Sequence, residues 1–161
     1  NMRTAVLRIV GAFGERQDIS LETGSVIPVL CRRAIEYPGR KPFTLLGQGL
    51  ETRSYCYVGD VVSGLMAAAD VLDKEKSVGP LNLGREGRVR ILEIAKKIVE
   101  ISGKDIEIAH LAAQESGIRG QAVDMTATLK QLSNWRPTVS LEEGLKICYA
   151  DVAARLRKGE A

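Results

Sequence analysis

The sequence predicts an α/β fold, and three observations carry that. Short apolar runs of strand length alternate with amphipathic runs of helical length. The apolar residues are mostly Val, Ile, Leu and Ala, with aromatics only 4% of the chain. No internal repeat or low-complexity segment interrupts the alternation. A chain of 161 residues is long enough for one domain with a real core, or for two small lobes sharing one.

The elements follow in order. Residues 4–10 (T-A-V-L-R-I-V) form an apolar run ended by Gly11 and Gly14, the pattern of a buried strand entering a loop. The polar stretch 15–24 reads as loop. Ser25 then caps a helix with Pro28 in its first turn. Val26, Ile27, Leu30, Cys31, Ala34 and Ile35 make its apolar face, and Tyr37-Pro38-Gly39 stops it. Residues 43–46 and 52–58 are β-rich runs flanking Gly47-Gln48-Gly49, and are expected to pair. Asp60 is expected to cap a helix over 61–72, whose alanines and Gly64 require a neighbour at close approach.

Residues 80–84 read as a short buried strand and 91–101 as an amphipathic helix closed by Ser102-Gly103. A strand over 106–110 follows, then a short helix over 125–132 closed by Asn134 in a left-handed conformation. Ser140 and Glu143 form a capping box opening a last helix to about residue 157.

Composition excludes several classes. The net charge is +3 with no block of like charges, so no nucleic-acid stripe is predicted. Three well-separated cysteines (Cys31, Cys56, Cys148) and one histidine (His110) make neither a zinc site nor a disulfide framework, and fit a reducing cytoplasm. No run of 18 apolar residues and no signal-peptide pattern points to a membrane. Asn1 ahead of Met2 reads as a residue left from a tag.

Within F-T-L-L-G-Q-G-L-E-T-R-S-Y-C-Y-V-G-D (residues 43–60), Arg53 is the one cation. An arginine on an apolar strand is costly unless something anionic meets it. Arg53 therefore either grips a phosphate or carboxylate, or pairs with Glu51 or Asp60.

The order R-I-V-G-A-F-G, V-I-P, T-R-S-Y-C-Y-V-G-D, N-L-G, I-L-E-I-A, G-I-R-G-Q-A-V-D and L-S-N-W-R-P-T-V-S-L-E-E-G-L resembles the C-terminal half of NAD-dependent nucleotide-sugar epimerases and dehydratases, the extended short-chain dehydrogenase/reductases. The specific pieces are T-R-S-x-x-Y-V-x-D and N-W-x-P-x-x-S-L-E-E-G-L. The G-I-R-G segment is similar to that of GDP-mannose 3,5-epimerase-like members.

The resemblance implies a partial Rossmann-type sheet (its last two strands) plus the small substrate-binding lobe. The chain would be one fragment over 1–161, with 4–14 and 80–102 Rossmann-derived and 24–72 and 104–157 mainly substrate lobe. By the same resemblance Arg53 would contact the diphosphate of a nucleoside diphosphate sugar. Arg119 would either grip phosphate or ribose, or stay a solvated loop arginine. Val26, Ile27, Phe43 and Leu45 would pack on the base, or simply fill the core. Family members usually carry asparagine, tyrosine and proline where this chain has Gly11, Phe13 and Glu15. His110 is expected as a core or edge histidine, Asp124 as orienting the 125–132 helix, and Trp135 as packing under the last helix.

Two items of the family's chemistry are missing. No G-x-G-x-x-G or G-x-x-G-x-x-G turn is present to hold the pyrophosphate of NAD, the cofactor of full-length members, so no cofactor is expected on this chain. The one Tyr-x-x-x-Lys match, Tyr37 to Lys41, contains Pro38 and Gly39 and cannot stack its side chains on a helix. About half an enzyme is therefore expected, with no catalytic residues and no turnover alone. Alternatively it is a non-catalytic nucleotide-sugar module or a self-associating relic. Strands 4–10 and 81–83 would lack sheet neighbours, so the chain is expected to form a homo-oligomer or dock a complementary N-terminal half.

Overall fold

The computed structural model describes residues 2–39, 42–112 and 120–160. Strands alternate with helices as the apolar pattern requires. In chain order the elements are β1 (Thr4–Ile9), β2 (Ala12–Phe13), α1 (Val26–Glu36), β3 (Thr44–Leu46), β4 (Thr52–Arg53), β5 (Cys56–Tyr57), α2 (Val58–Val71), β6 (Ser77–Leu83), β7 (Val89–Arg90), α3 (Ile91–Ser102), β8 (Ala109–Leu111), α4 (Thr126–Gln131) and α5 (Leu141–Arg157).

Among the described residues the strands form two-stranded ladders. β1 pairs with β6, β2 with β5 and β3 with β8, all parallel, while β4 and β7 are antiparallel. The expected pairing of 43–46 with 52–58 does not form. Gly47 and Gly49 both have positive φ, but the turn splays the two runs apart. Gly47 N donates to Leu111 O, and Leu92 N to Gly49 O, so each side of the turn is claimed by a distant element. The second run also splits into β4 and β5, and α2 begins at Val58.

Two other local expectations change. Asp60 lies inside the first turn of α2 instead of capping it, and its carboxylate reaches across to the 138–139 backbone. Asn134 is not left-handed: Arg16 is the non-glycine residue with positive φ among the described residues. Ser140 does cap α5, accepting from Glu143 N, and Asp124 accepts from Thr126 N at the start of α4.

Two hydrophobic clusters make the core. The first joins α1, α3 and α5 through Leu30, Ala34, Ile94, Ile98, Leu145 and Val152, with Phe13 and Phe43 beneath them. The second joins β1 and β6 to α2 and α4 through Ala68, Leu81, Leu83, Met125 and Trp135. α2 packs on the β1–β6 pair, and α3 packs with α1 and α5. Trp135 packs against α2, not α5: its Nε1 donates to Asp60 O and Ser63 Oγ.

Candidate functional site

A cavity of about 430 Å³ opens between α1, β3 and the 51–55 segment. The helix period brings Val26, Val29, Leu30 and Arg33 to one wall, since residues three, four and seven apart share a face. Thr44, Leu45 and Leu46 form the second wall. Glu51, Arg53 and Tyr55 form the third, each two residues from the next, as alternation along an extended chain requires. Ile91 closes one end.

Two guanidiniums therefore enter a cavity with several apolar walls. Arg33 Nη1 donates to Thr44 O, which fixes it across the α1–β3 gap. Burial lowers its pKa, but from so high a starting value that it stays charged at neutral pH. Arg53 Nη1 donates to Thr52 O at 2.9 Å. Burial pushes the Tyr55 phenol up to about 12, against the opposing pull of Arg53, so Tyr55 is a neutral hydrogen-bond donor. A smaller cavity of about 170 Å³ adjoins the first, and Arg53 and Tyr55 line both.

The expected site residues separate into three groups. Val26, Leu45 and Arg53 line the large cavity together. Ile27 and Phe43 are not in its lining and are buried in the first core cluster. Arg119 lies outside the described residues. Arg33 and Tyr55, which the sequence pattern did not single out, are on the wall, and the helical spacing from Val26 and the alternation from Arg53 are the signals that locate them.

The first motif is shaped by packing. Gly11 has φ 62°, and a Cβ there would fall 1.9 Å from Ser54 O, so an asparagine has no room on this backbone. Glu15 accepts from the Tyr57 hydroxyl on both carboxylate oxygens, at 2.9 and 3.0 Å, and lines neither cavity. His110 is exposed on β8, with Nδ1 2.9 Å from Gly47 O. The cysteines are buried and unpaired. The hydrogen bond with Cys148, together with burial, pushes the Cys31 thiol up, which leaves it unreactive. Among the described residues no cluster of three or more metal-ligating side chains occurs, and no helix is long and apolar enough to cross a membrane.

Residues 1–84 match the NAD dependent epimerase/dehydratase family. The chain belongs to that family. UDP-glucuronic acid decarboxylase 2 of Arabidopsis thaliana is 31% identical over 156 residues, covering 97% of this chain and 33% of the relative. GDP-mannose 3,5-epimerase 1 of Oryza sativa is 30% identical over 128 residues, 80% of this chain and 32% of the relative. Among solved structures, UDP-glucose 4-epimerase of Thermotoga maritima with UDP-glucose superposes with a TM-score of 0.80 at 29% identity, over 94% of this chain and 46% of that one. UDP-glucuronic acid 4-epimerase of Bacillus cereus, in complex with UDP-glucuronic acid and NAD, gives 0.79 at 27%, over 93% and 45%. This epimerase-family chain thus spans about a third of the curated relatives and under half of the structures it matches.

NAD does not fit the described residues. A pyrophosphate cradle needs a strand running through open glycines straight into a helix N-terminus. Here β1 is followed by Gly11 against Ser54 and Gly14 against Val58, and α1 starts only at Val26. Gly49 backs onto Leu92 and Leu45. Tyr37 is the C-cap of α1 with extended dihedrals, so it is off the helix, and Arg40 and Lys41 lie outside the described residues. No hydride step can be assigned to these side chains.

Proposed function

We propose that this epimerase-family chain binds a nucleoside diphosphate sugar in the 430 Å³ cavity and is catalytically incomplete by itself. The observation that carries this is the joint placement of Arg53 and Arg33 in one cavity with apolar walls from α1 and β3. A flat base suits the walls formed by Val26 and Leu45, and the Arg53 fork suits two phosphate oxygens. Oxidation and reduction of a sugar would need a dinucleotide-binding half, for which the greater length of the relatives leaves room.

The docking face for that half is the β1 side of the molecule. β1 uses one edge on β6, and Val6 and Ile9 are 56% and 54% exposed. On α2, Val62 and Met66 are exposed as well. An apolar sheet edge of this kind takes a partner. The same face supports self-association when the chain is alone, and a monodisperse monomer by light scattering at high concentration would count against it.

The test of ligand binding is a thermal-shift series with UDP-, GDP- and dTDP-sugars. The relatives are named for UDP-glucuronic acid and GDP-mannose, so those come first. At least one should raise the melting temperature, and Arg53→Ala should abolish the rise. No shift with any of them sinks the proposal. Turnover that appears on adding a dinucleotide-binding half and NAD marks half an enzyme; binding without turnover marks a non-catalytic module.

A further inference from the structure

The smaller cavity carries two arginines, Arg85 and Arg88, that the base-and-diphosphate reading does not use. Three arginines line its 170 Å³, Arg53, Arg85 and Arg88, against one carboxylate, Glu86. Arg85 Nη1 donates to Pro137 O and Val139 O at 3.3 and 2.9 Å, which fixes its place without neutralising its charge. Arg88 is exposed and joins no ion pair among the described residues.

Backbone pairing sets Val89 opposite Arg53, and Arg88, the residue before it, lines the same cavity as Arg53. β4 lies against β7, which starts one residue after Arg88. Thr52 bridges to Gly120, and a Cβ on Gly120 would come 3.6 Å from Arg88 Nη1 and 2.9 Å from Thr52 Oγ1. Thr52 O meanwhile accepts from Arg53 Nη1. Arg88 thus lies on the side of the Thr52 side chain and Arg53 on its carbonyl, and the two cavities share Arg53 and Tyr55 in their linings. Tyr55 is a neutral donor in both.

We propose that Arg88 is the second arm of the anion site at Arg53, closing on the distal phosphate of a diphosphate, with Arg85 adding to the field. This rests on the nucleotide reading for the substrate's identity, but not for the anion site itself. Like charges gathered around a small cavity attract an anion of matching size, and two guanidinium forks can each take two oxygens of a pyrophosphate. A single phosphate can meet Arg53 alone, so Arg88 should discriminate diphosphates from monophosphates.

The test is calorimetric titration of the full chain with UMP, UDP and inorganic pyrophosphate at low ionic strength. UDP is expected to bind at least about tenfold tighter than UMP. Arg88→Gln, a change at an exposed side chain, should remove that gain and weaken pyrophosphate while leaving UMP as it was. Lys96→Gln, on the exposed face of α3, removes the same charge elsewhere and should alter none of the three. Wild-type affinity for UDP and pyrophosphate in Arg88→Gln overturns the inference, and so does an equal loss in Lys96→Gln. Pyrophosphate bound through Arg88 with no nucleotide bound upholds the arm and sinks the nucleotide reading. Nothing bound at all sinks both.

Discussion

Asp60 receives Thr138 twice: its Oδ1 accepts from Thr138 N at 3.0 Å and from Thr138 Oγ1 at 3.1 Å, while Oδ2 accepts from Val139 N at 3.0 Å. The carboxylate is buried, and these donors are what let it stay so. They tie the first turn of α2 to the loop that leads into α5, and so connect the two core clusters. Charge-assisted hydrogen bonds of this kind are worth about 1.5–3 kcal/mol, and removing the acceptor strands two backbone donors. Asp60→Ala is expected to lower the unfolding free energy by about 2–3 kcal/mol, with Asp60→Asn in between. Trp135 donates to Asp60 O, so its fluorescence in a urea titration reports the transition directly. A loss under about 0.5 kcal/mol would mean that the loop is held by something else.

Gly64 lies where α2 packs closely on the Trp135 ring and Leu83. A Cβ there would come 2.9 Å from two Trp135 ring atoms and 3.0 Å from Leu83 Cδ2. Alanine normally stabilises a helix by about 1 kcal/mol over glycine. Here overpacking, at about 1–3 kcal/mol, should outweigh it. Gly64→Ala is therefore predicted to destabilise and to shift the Trp135 emission, whereas Ala69→Gly, on the exposed side of the same helix, should cost only its propensity. A Gly64→Ala variant more stable than wild type would show that the indole has room to move.

Lys104 closes the end of a helix that it does not belong to. Its ammonium donates to Ala34 O, Ile35 O and Tyr37 O at 3.0, 2.6 and 2.9 Å. Carbonyls at a helix C-terminus lack intrahelical donors and carry partial negative charge, so a cation there satisfies both needs. Lys104→Met keeps the alkyl stem and removes the donors. It should cost about 1 kcal/mol and speed amide exchange over the last turn of α1, without affecting α2. Unchanged exchange in that turn would refute the cap.

Periodicity made the helices legible, and pairing is where the sequence fell short. Val26, Leu30 and Ala34 repeat at helical spacing, and α1 forms where they stand; Ile94 and Ile98 do the same for α3. Arg33 could have been placed by the same rule, seven residues from Val26. The Gly47–Gly49 turn looks like a hairpin connection, yet the partner of β3 is the distant β8. Local chemistry permits the turn but does not choose the ladder, which is decided by burial of Phe43 and Leu45 under α1. Asp60 stands inside the helix instead of capping it for a related reason. An aspartate before an apolar run signals a cap, but Tyr57 already supplies the extended entry and the carboxylate has better donors at Thr138 and Val139. R-E-G-R-V-R shows no period at all, so the arrival of Arg85 and Arg88 in the lining of the Arg53 cavity is visible only in the fold.

Tyr57 and Tyr55 should make the fold sensitive to alkali. Burial, and then the Glu15 carboxylate that accepts its hydroxyl, push Tyr57 up to about 12; burial does the same to Tyr55. Both groups are uncharged when protonated, and both hold that proton more tightly folded than unfolded. The unfolded chain therefore ionises first, near the ordinary tyrosine value of about 10. Their contribution to stability is complete below that pH and is lost as pH rises from about 10 to about 12. Urea midpoints measured across this range should fall. Tyr57→Phe, which loses the Glu15 contact, should be less stable near neutrality and fall less steeply in alkali. Absorbance of the ionised phenols, followed in parallel, should lag behind that of free tyrosine. Midpoints that stay level to about pH 12, or a Tyr57→Phe variant with the wild-type slope, would show that the Glu15–Tyr57 pair opens to solvent.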